Sequence, residues 1–394
     1  MATVMNMTTE SAVLATYRPA APLFVRASGC RMYDDAGNAY LDFSSGIGVN
    51  ALGYGDAGVA EAMQCALDTG LIHTSNLYRT VPVQELATEL TTRSFADRVF
   101  FCNSGAEANE AAFKFARRYG REVGGAAKHE IVSMRGAFHG RLFGALAATD
   151  RKSMQEPFEP LMPGVQFVAI GDVDGARAAI SRERTAAIIV EPVQGEGGVL
   201  PVPAEFLAAL RALADEADAL LIFDEVQCGL GRTGRLFAYE HAGVTPDILT
   251  LAKPLAGGLP MGATLLTQRV ADTIRPGDHA TTFGGGALVA TVALEVVQRI
   301  GAETFLAGVR RHGALLKTAL DGLLVLPAVK EVRGIGLMWG IELTVPAGPV
   351  VSAALERGLL VTAAGEKVIR LLPPLVISAA DITAGVDVLR EVLQ

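Results

Sequence analysis

The sequence is short of the features that mark several whole classes of protein. Its four cysteines, Cys30, Cys65, Cys102 and Cys228, include no pair at Cys-x-x-Cys spacing, which argues against a zinc ribbon and a redox dithiol. So few thiols in 394 residues point to a reduced, cytosolic protein. Cationic excess is missing as well. Lys and Arg total 34 against 42 Asp and Glu, a formal charge of −8, so nothing draws the whole chain toward nucleic acid or anionic lipid. Met1 to Tyr17 carries no Lys or Arg and no long apolar run, unlike a signal peptide. No stretch approaches the ~20 apolar residues that span a bilayer, although the mean hydropathy is +0.34. Internal repeats and low-complexity linkers are also lacking.

What the chain does have is apolar residues, 50% of the total against 19% charged, enough for a large core. Short apolar runs lie at Val99–Cys102, Ile131–Met134, Gln166–Ile170, Ala187–Val190, Ala219–Phe223, Ile248–Leu251 and Ala263–Leu266. Several are uninterrupted, as strands buried on both faces are. Helical patterns such as Glu107–Tyr119 and Ala204–Asp218 separate many of them. The alternation predicts an α/β fold with a mostly parallel seven-stranded sheet covered by helices. Past Gly284-Gly285-Gly286 the texture changes. Helical patterns over 287–300 and 302–322 precede strands near Val329–Val332, Leu337–Leu343 and Val368–Leu372, with helices near 349–357 and 380–393. These predict a smaller α+β domain over 286–394. Residues 61–285 form the expected large domain, and 1–60, with a hairpin-like Arg31–Asn38, are expected to join the small one.

Ligands of open parallel sheets sit beyond the carboxyl ends of the strands, so the residues following each run are the ones to weigh. Ser104, Gly105 and Ala106 open a helix after the first strand, which suits an anion or is a plain Ser N-cap. Phe138-His139-Gly140-Arg141 offers a ring for stacking and a carboxylate clamp, or else a core Phe, a satisfied His and a surface Arg. Glu191 to Gly198, with Glu196, is a gating loop or a solvated one. Asp224, heading Asp224-Glu225-Val226-Gln227, is costly after an apolar strand unless paired; a protonated ring nitrogen or a neighbouring helix end would pair it. Lys253, between an apolar strand and a Gly-rich turn, is either partly desolvated, with a lowered pKa and a reactive amine, or a surface lysine. Thr281 and Thr282 precede a second glycine loop that suits an anion or merely links domains. Gly229 to Gly234 matches G-x-G-x-x-G only by coincidence, because Asp224–Cys228 separates it from its strand.

Together a desolvated lysine, an aspartate, a stacking ring and two phosphate loops describe a pyridoxal 5′-phosphate pocket. The motifs Asn103–Glu110, Phe138–Arg141, Glu191–Gly198, Asp224–Gly229, Leu251–Lys253 and Thr281–Gly285 stand in the order found in the class III (ornithine-type) aminotransferases of the fold-type I group, which the chain resembles nearly end to end. The resemblance implies that Lys253 is the Schiff-base lysine and proton shuttle, Asp224 the partner of the pyridine nitrogen, and Gln227 the neighbour of the ring hydroxyl. Val226 and Phe138 would flank the ring, Gly105 and Ala106 would bind the phosphate with Ser104, and Glu225 belongs to the same cofactor segment. Thr282 would reach the cofactor of a second subunit, implying a homodimer. Arg141, beside Thr281, matches a clamp on the substrate carboxylate, Glu196 and Arg370 match a switchable pair, and Tyr17 matches a further substrate contact. No metal is implied. The implied reaction moves the δ-amino group of N2-acetyl-L-ornithine to 2-oxoglutarate in arginine biosynthesis. Succinylornithine, ornithine, 4-aminobutyrate or a carrier-linked lysine are alternative donors, and an aminomutase on the same scaffold is a further alternative. The chain departs from the family pattern at Tyr54–Ala57 and Thr281–Ala287, where family members shape the dimer-facing pocket.

Overall fold

The computed structural model describes residues 12–394. Seven strands form a central sheet: Arg98–Cys102, Glu130–Met134, Val165–Val168, Thr185–Val190, Leu220–Asp224, Ile248–Leu251 and Gly262–Leu266. Across the sheet the order is 98–102, 262–266, 248–251, 220–224, 185–190, 130–134, 165–168. The five strands from 248–251 to 165–168 pair in parallel. The strand Gly262–Leu266 runs antiparallel to both its neighbours. The sheet is thus mostly parallel, as the uninterrupted apolar runs require.

Period-two alternation sends the strand side chains into two cores. Ile189, Leu220, Ile222 and Ile248 join Ala112, Phe115, Ala116 and Tyr119 of the helix Gly105–Gly124 on one face. Ile188, Val190, Leu221, Phe223, Leu249 and Leu251 face the opposite core. The alanines let that helix lie close to the sheet, and a Cβ on its Gly120 would meet the Lys128 carbonyl oxygen at 2.3 Å. Asp224 falls in phase with Leu220 and Ile222, so it faces the same helix.

Two smaller sheets complete the molecule. Val329–Ile335, Met338–Leu343, Val368–Leu371 and Thr362–Ala363 form one, near the helices Glu303–Asp321 and Ala379–Val392. The N-terminal strands Phe24–Ser28, Arg31–Asp34 and Ala39–Asp42 form the other, which is completed by Leu359–Leu360 in parallel pairing with Leu41 and Asp42. Two of the expected boundaries that shift have a local backbone cause. The third strand ends at Val168, before a turn in which Gly171 has φ +84°. The helix from Ala204 ends at Glu216, because Asp218 adopts φ +48°.

Phe43 is fully buried against the C-terminal helix, and a Cβ on Gly385 would lie 2.3 Å from its Cζ. Gly385→Ala should therefore lose about 1–3 kcal/mol of stability by overpacking. Gly308→Ala, in the helix Glu303–Asp321 with nothing within 4 Å, should gain about 0.5–1 kcal/mol. Denaturant midpoints of the two variants should move in opposite directions.

Candidate active site

The carboxyl ends of the parallel strands open onto a cavity of about 450 Å³. Its lining includes Ser104, Gly105, Ala106, Phe138, Arg141, Glu196, Asp224, Val226, Gln227 and Lys253, which arrive from segments far apart in sequence.

Asp224 ends its strand 4% exposed. One carboxylate oxygen accepts from Asn109 Nδ2 and from His139 Nδ1, both at 2.7 Å, and the other accepts from the Val226 N–H at 3.0 Å. The Thr250 hydroxyl donates to Asn109 Oδ1 at 2.8 Å, and Asn109 Nδ2 also donates to the His139 carbonyl at 2.8 Å. This brace meets the desolvation cost of a buried carboxylate and aims it at the cavity. Asn109, His139 and Thr250 were not singled out from the sequence as functional. The readable signals were weak: a polar residue on the helix face that otherwise carries alanines, and a histidine beside the stacking Phe.

Glu191 is a second buried carboxyl, accepting from the N–H groups of Phe138 and Gly195 at 3.0 Å each. Burial pushes it up to about 7; His139 opposes the rise and Asp224 adds to it. Its two bonds join the segment that carries the stacking ring to the loop that carries Glu196.

Lys253 opens a short 3₁₀ turn with backbone φ +22°. Its amine makes no hydrogen bond or ion pair among the described residues. Burial, with the charge of Arg370, pulls it below the ordinary lysine range, while Asp224, Glu196 and Glu191 pull the other way. Opposite stands the start of the helix Gly105–Gly124, whose first N–H groups have no intrahelical acceptor. The Ser104 hydroxyl accepts from Glu107 N at 3.2 Å, so it caps the helix and retains a proton to donate. A Cβ on Gly105 would meet Val226 Cγ1 at 2.6 Å, so only glycine lets the helix start lie so close to that side chain. An amine, a braced carboxylate, an apolar slot between Phe138 and Val226, and an anion-seeking helix end are the donor set that a phosphorylated pyridine aldehyde needs.

Arg370 is 2% exposed and pairs with Glu196 across the cavity edge. Its Nη1 also donates to Gln227 Oε1 at 3.4 Å, and its Nε to the Thr362 hydroxyl at 3.3 Å. Arg141 is exposed, with its guanidinium carbon 5.9 Å from the Phe138 ring centroid and no ion pair among the described residues. One cation is thus open and the other masked.

Five of the expected site residues lie outside the cavity lining, Arg370 among them, since it meets the cavity through Glu196. Glu225 is turned away: it is buried and accepts from the N–H groups of Ala238 and Tyr239 at 2.6 and 2.7 Å. Its alternation in the chain sends it to the face opposite Asp224, so its place in the motif misled. Tyr17 is 83% exposed. Thr281 holds its own loop, its hydroxyl accepting from Gly284 N at 3.2 Å and from Asn103 Nδ2 at 3.3 Å. Thr282 is exposed and outside the cavity. The departure at 54–57 has a local cause. The Tyr54 hydroxyl donates to Asp42 at 2.7 Å, and Asp56 caps the helix Ala57–Asp68 and pairs with Arg299.

Among the described residues there is no group of side chains suited to a metal ion, and no helix is long and apolar enough to cross a membrane. The aminotransferase class-III family model matches residues 14–393. The mitochondrial acetylornithine aminotransferase of Alnus glutinosa is 49% identical, covering 97% of this chain and 85% of that protein. The acetylornithine aminotransferase of Methanocaldococcus jannaschii is 47% identical over 94% of this chain and 93% of its own. Among solved structures, the N-acetylornithine aminotransferase of Stenotrophomonas maltophilia superposes with a TM-score of 0.84 at 35% identity, covering 95% of this chain and 96% of that one. The ornithine aminotransferase of Toxoplasma gondii, described with partial occupancy of PLP at its active site, gives 0.92 at 31% identity, covering 97% and 92%.

Burial pushes Glu225 up to about 8, and Glu191 up to about 7, from an ordinary 4.5. The folded chain therefore keeps these protons to a higher pH than the unfolded chain, so this contribution to stability is lost as pH rises from about 4.5 to about 8. Melting temperature should fall between pH 6 and pH 9, and Glu225→Gln, which keeps an acceptor but cannot ionise, should shrink the fall. An equal fall in both proteins would remove Glu225 from the account.

Proposed function

The chain belongs to the class-III aminotransferases, and from that premise we propose that it moves the δ-amino group of N2-acetyl-L-ornithine to 2-oxoglutarate. The products are N-acetyl-L-glutamate 5-semialdehyde and L-glutamate, a step in arginine biosynthesis. The names of the relatives support the donor. The masked guanidinium beside an unpaired amine supports the reaction type.

The cofactor is pyridoxal 5′-phosphate, which when bound supplies the electron sink for exchanging an amino group between two carbons. In our reading the Gly105 and Ala106 N–H groups and the Ser104 hydroxyl hold its phosphate, and Phe138 and Val226 bracket its ring. Asp224, oriented by its three donors, would accept from the ring nitrogen. Gln227, in the cavity lining, would stand near the ring hydroxyl. Lys253 would hold the cofactor through its amine and would carry a proton on Nζ. The lowered pKa raises the fraction of neutral amine, the form able to attack and to accept a proton.

Two substrates of different shape share the pocket. Arg141 presents a fixed positive charge to a carboxylate of either. Arg370 stays paired with Glu196 while the acylated donor binds, and takes the α-carboxylate of glutamate when Glu196 withdraws. Masking one cation changes the charge pattern without rebuilding the walls.

We assign the cofactor to residues 61–285 and the closing smaller domain to 286–394 with 1–60. A homodimer, with Thr282 of each subunit reaching the other's cofactor, is supported by an exposed apolar set: Leu71, Ile72, Leu77, Tyr78, Val81 and Phe283. Phe283 is 67% exposed, with the His73 ring 5.3 Å away. All four cysteines are free, which supports a reduced compartment, the cytosol.

Purified protein should show the visible absorbance of the bound cofactor. N-acetylornithine should bleach it in a single turnover, and 2-oxoglutarate should restore it. Borohydride reduction should fix the cofactor's mass on wild type and not on Lys253→Ala. A mass adduct on that variant would disprove the lysine assignment. Bleaching by another ω-amine in preference to N-acetylornithine would overturn the donor.

A further inference from the structure

The Gly229–Gly234 segment, the false dinucleotide fingerprint, puts a charge where charges are rarely found. Arg232 is 2% exposed and has no ion-pair partner among the described residues. Its Nη1 donates to the backbone carbonyls of Leu337 and Pro373, and its Nη2 has no partner. Its own carbonyl accepts from Leu337 N at 3.0 Å. Burial pushes the guanidinium down to about 9, with only the charge of Asp42 acting against it. A cation in such surroundings is costly. What the arginine achieves there is its grip on two carbonyls.

One carbonyl borders the strand that carries Arg370 and the other borders its antiparallel neighbour. Pro373 lies just beyond Val368–Leu371, and Leu337 just before Met338–Leu343, whose Gly340 stands opposite Arg370 in the antiparallel ladder. The turn that joins Val329–Ile335 to Met338–Leu343 is pressed onto the Arg232 loop, since a Cβ on Gly336 would lie 2.5 Å from the Thr233 carbonyl carbon and 2.6 Å from the Arg232 oxygen. The loop itself leaves the strand that ends in Asp224. One side chain thus ties the Asp224 segment to one end of the strand pair that bears the masked cation, through one carbonyl beside each strand.

We propose that Arg232 is a positioning residue for Arg370: by holding the carbonyls of Leu337 and Pro373 it registers the Arg370 strand against the sheet end that carries Asp224. A planar guanidinium serves two diverging acceptors from one rigid frame, while the ammonium of a lysine is a point donor on a flexible stem. The tether then matters for the substrate that Arg370 must grip, and much less for the donor bound while Glu196 masks it. The inference rests on the reading of Arg370 as the site of the α-carboxylate.

The test measures both half-reactions by single turnover on cofactor-loaded wild type, Arg232→Lys, Arg370→Lys and Pro373→Ala. In Arg232→Lys the half-saturating glutamate concentration should rise about tenfold, with the limiting rate and the half-saturating N-acetylornithine concentration within about threefold of wild type. The cofactor absorbance should be unchanged. A merely structural loss would move both substrates together, and that result overturns the proposal. If Arg370→Lys is impaired toward glutamate and Arg232→Lys is not, the tether alone fails. If Arg370→Lys binds glutamate like wild type, both readings fall together. Should Arg232→Lys not be recovered folded, Pro373→Ala decides, because it keeps the carbonyl and loosens its backbone. A smaller loss selective for glutamate supports the tether; no loss, or an equal one for both substrates, overturns it.

Discussion

A carboxylate at the end of a buried strand survives only if other parts of the chain bring it donors, and Asp224 draws on three. Asn109 comes from the long helix, His139 from the loop after Glu130–Met134, two strands away in the sheet, and the Val226 N–H from the turn that follows. Thr250, on the adjacent strand, steadies Asn109. The elements that bring these donors are those that wall the cavity, so the charge and the cavity share one scaffold. Removing any donor leaves the charge under-served and loosens a wall with it.

The neighbouring acidic groups show how position divides labour among identical chemistry. Glu191, close to Asp224 and deeply buried, spends both oxygens on backbone N–H groups of two loops. Glu196, at the rim, spends its charge on Arg370. Glu225, one residue from Asp224, faces the other way and anchors a short 3₁₀ turn. Depth and strand phase, not residue type, separate a holder, a rim ion pair and a strut.

Much of the scaffold was legible because buried parallel strands leave no room for polar residues. Ile248–Leu251 and Ala287–Ile300 are found at the expected bounds, and the other runs of the large sheet within a few residues. The residues that follow those runs converge on one cavity because strand ends converge in any sheet of this kind. Side-chain direction was less legible. Membership of the Asp224–Gln227 motif says nothing of alternation at the point where the strand stops, so Glu225 was grouped with residues that face the cavity. The brace of Asn109, His139 and Thr250 is written in three distant places, and none of the three looks unusual alone. Arg232 looked like part of a coincidental motif, since its partners are backbone carbonyls, which leave no trace in sequence.

The N-terminal strands find their parallel neighbour at Leu359–Leu360. On the ribosome, strands made among the first fifty residues must wait until nearly the whole chain has emerged before their sheet can close. Ser45 is held in the same way, its hydroxyl donating to the Leu372 carbonyl at 2.6 Å. A message cut short near its end would therefore lose more than a terminal helix: it would leave the opening strands of the protein with an unpaired edge, a template for aggregation.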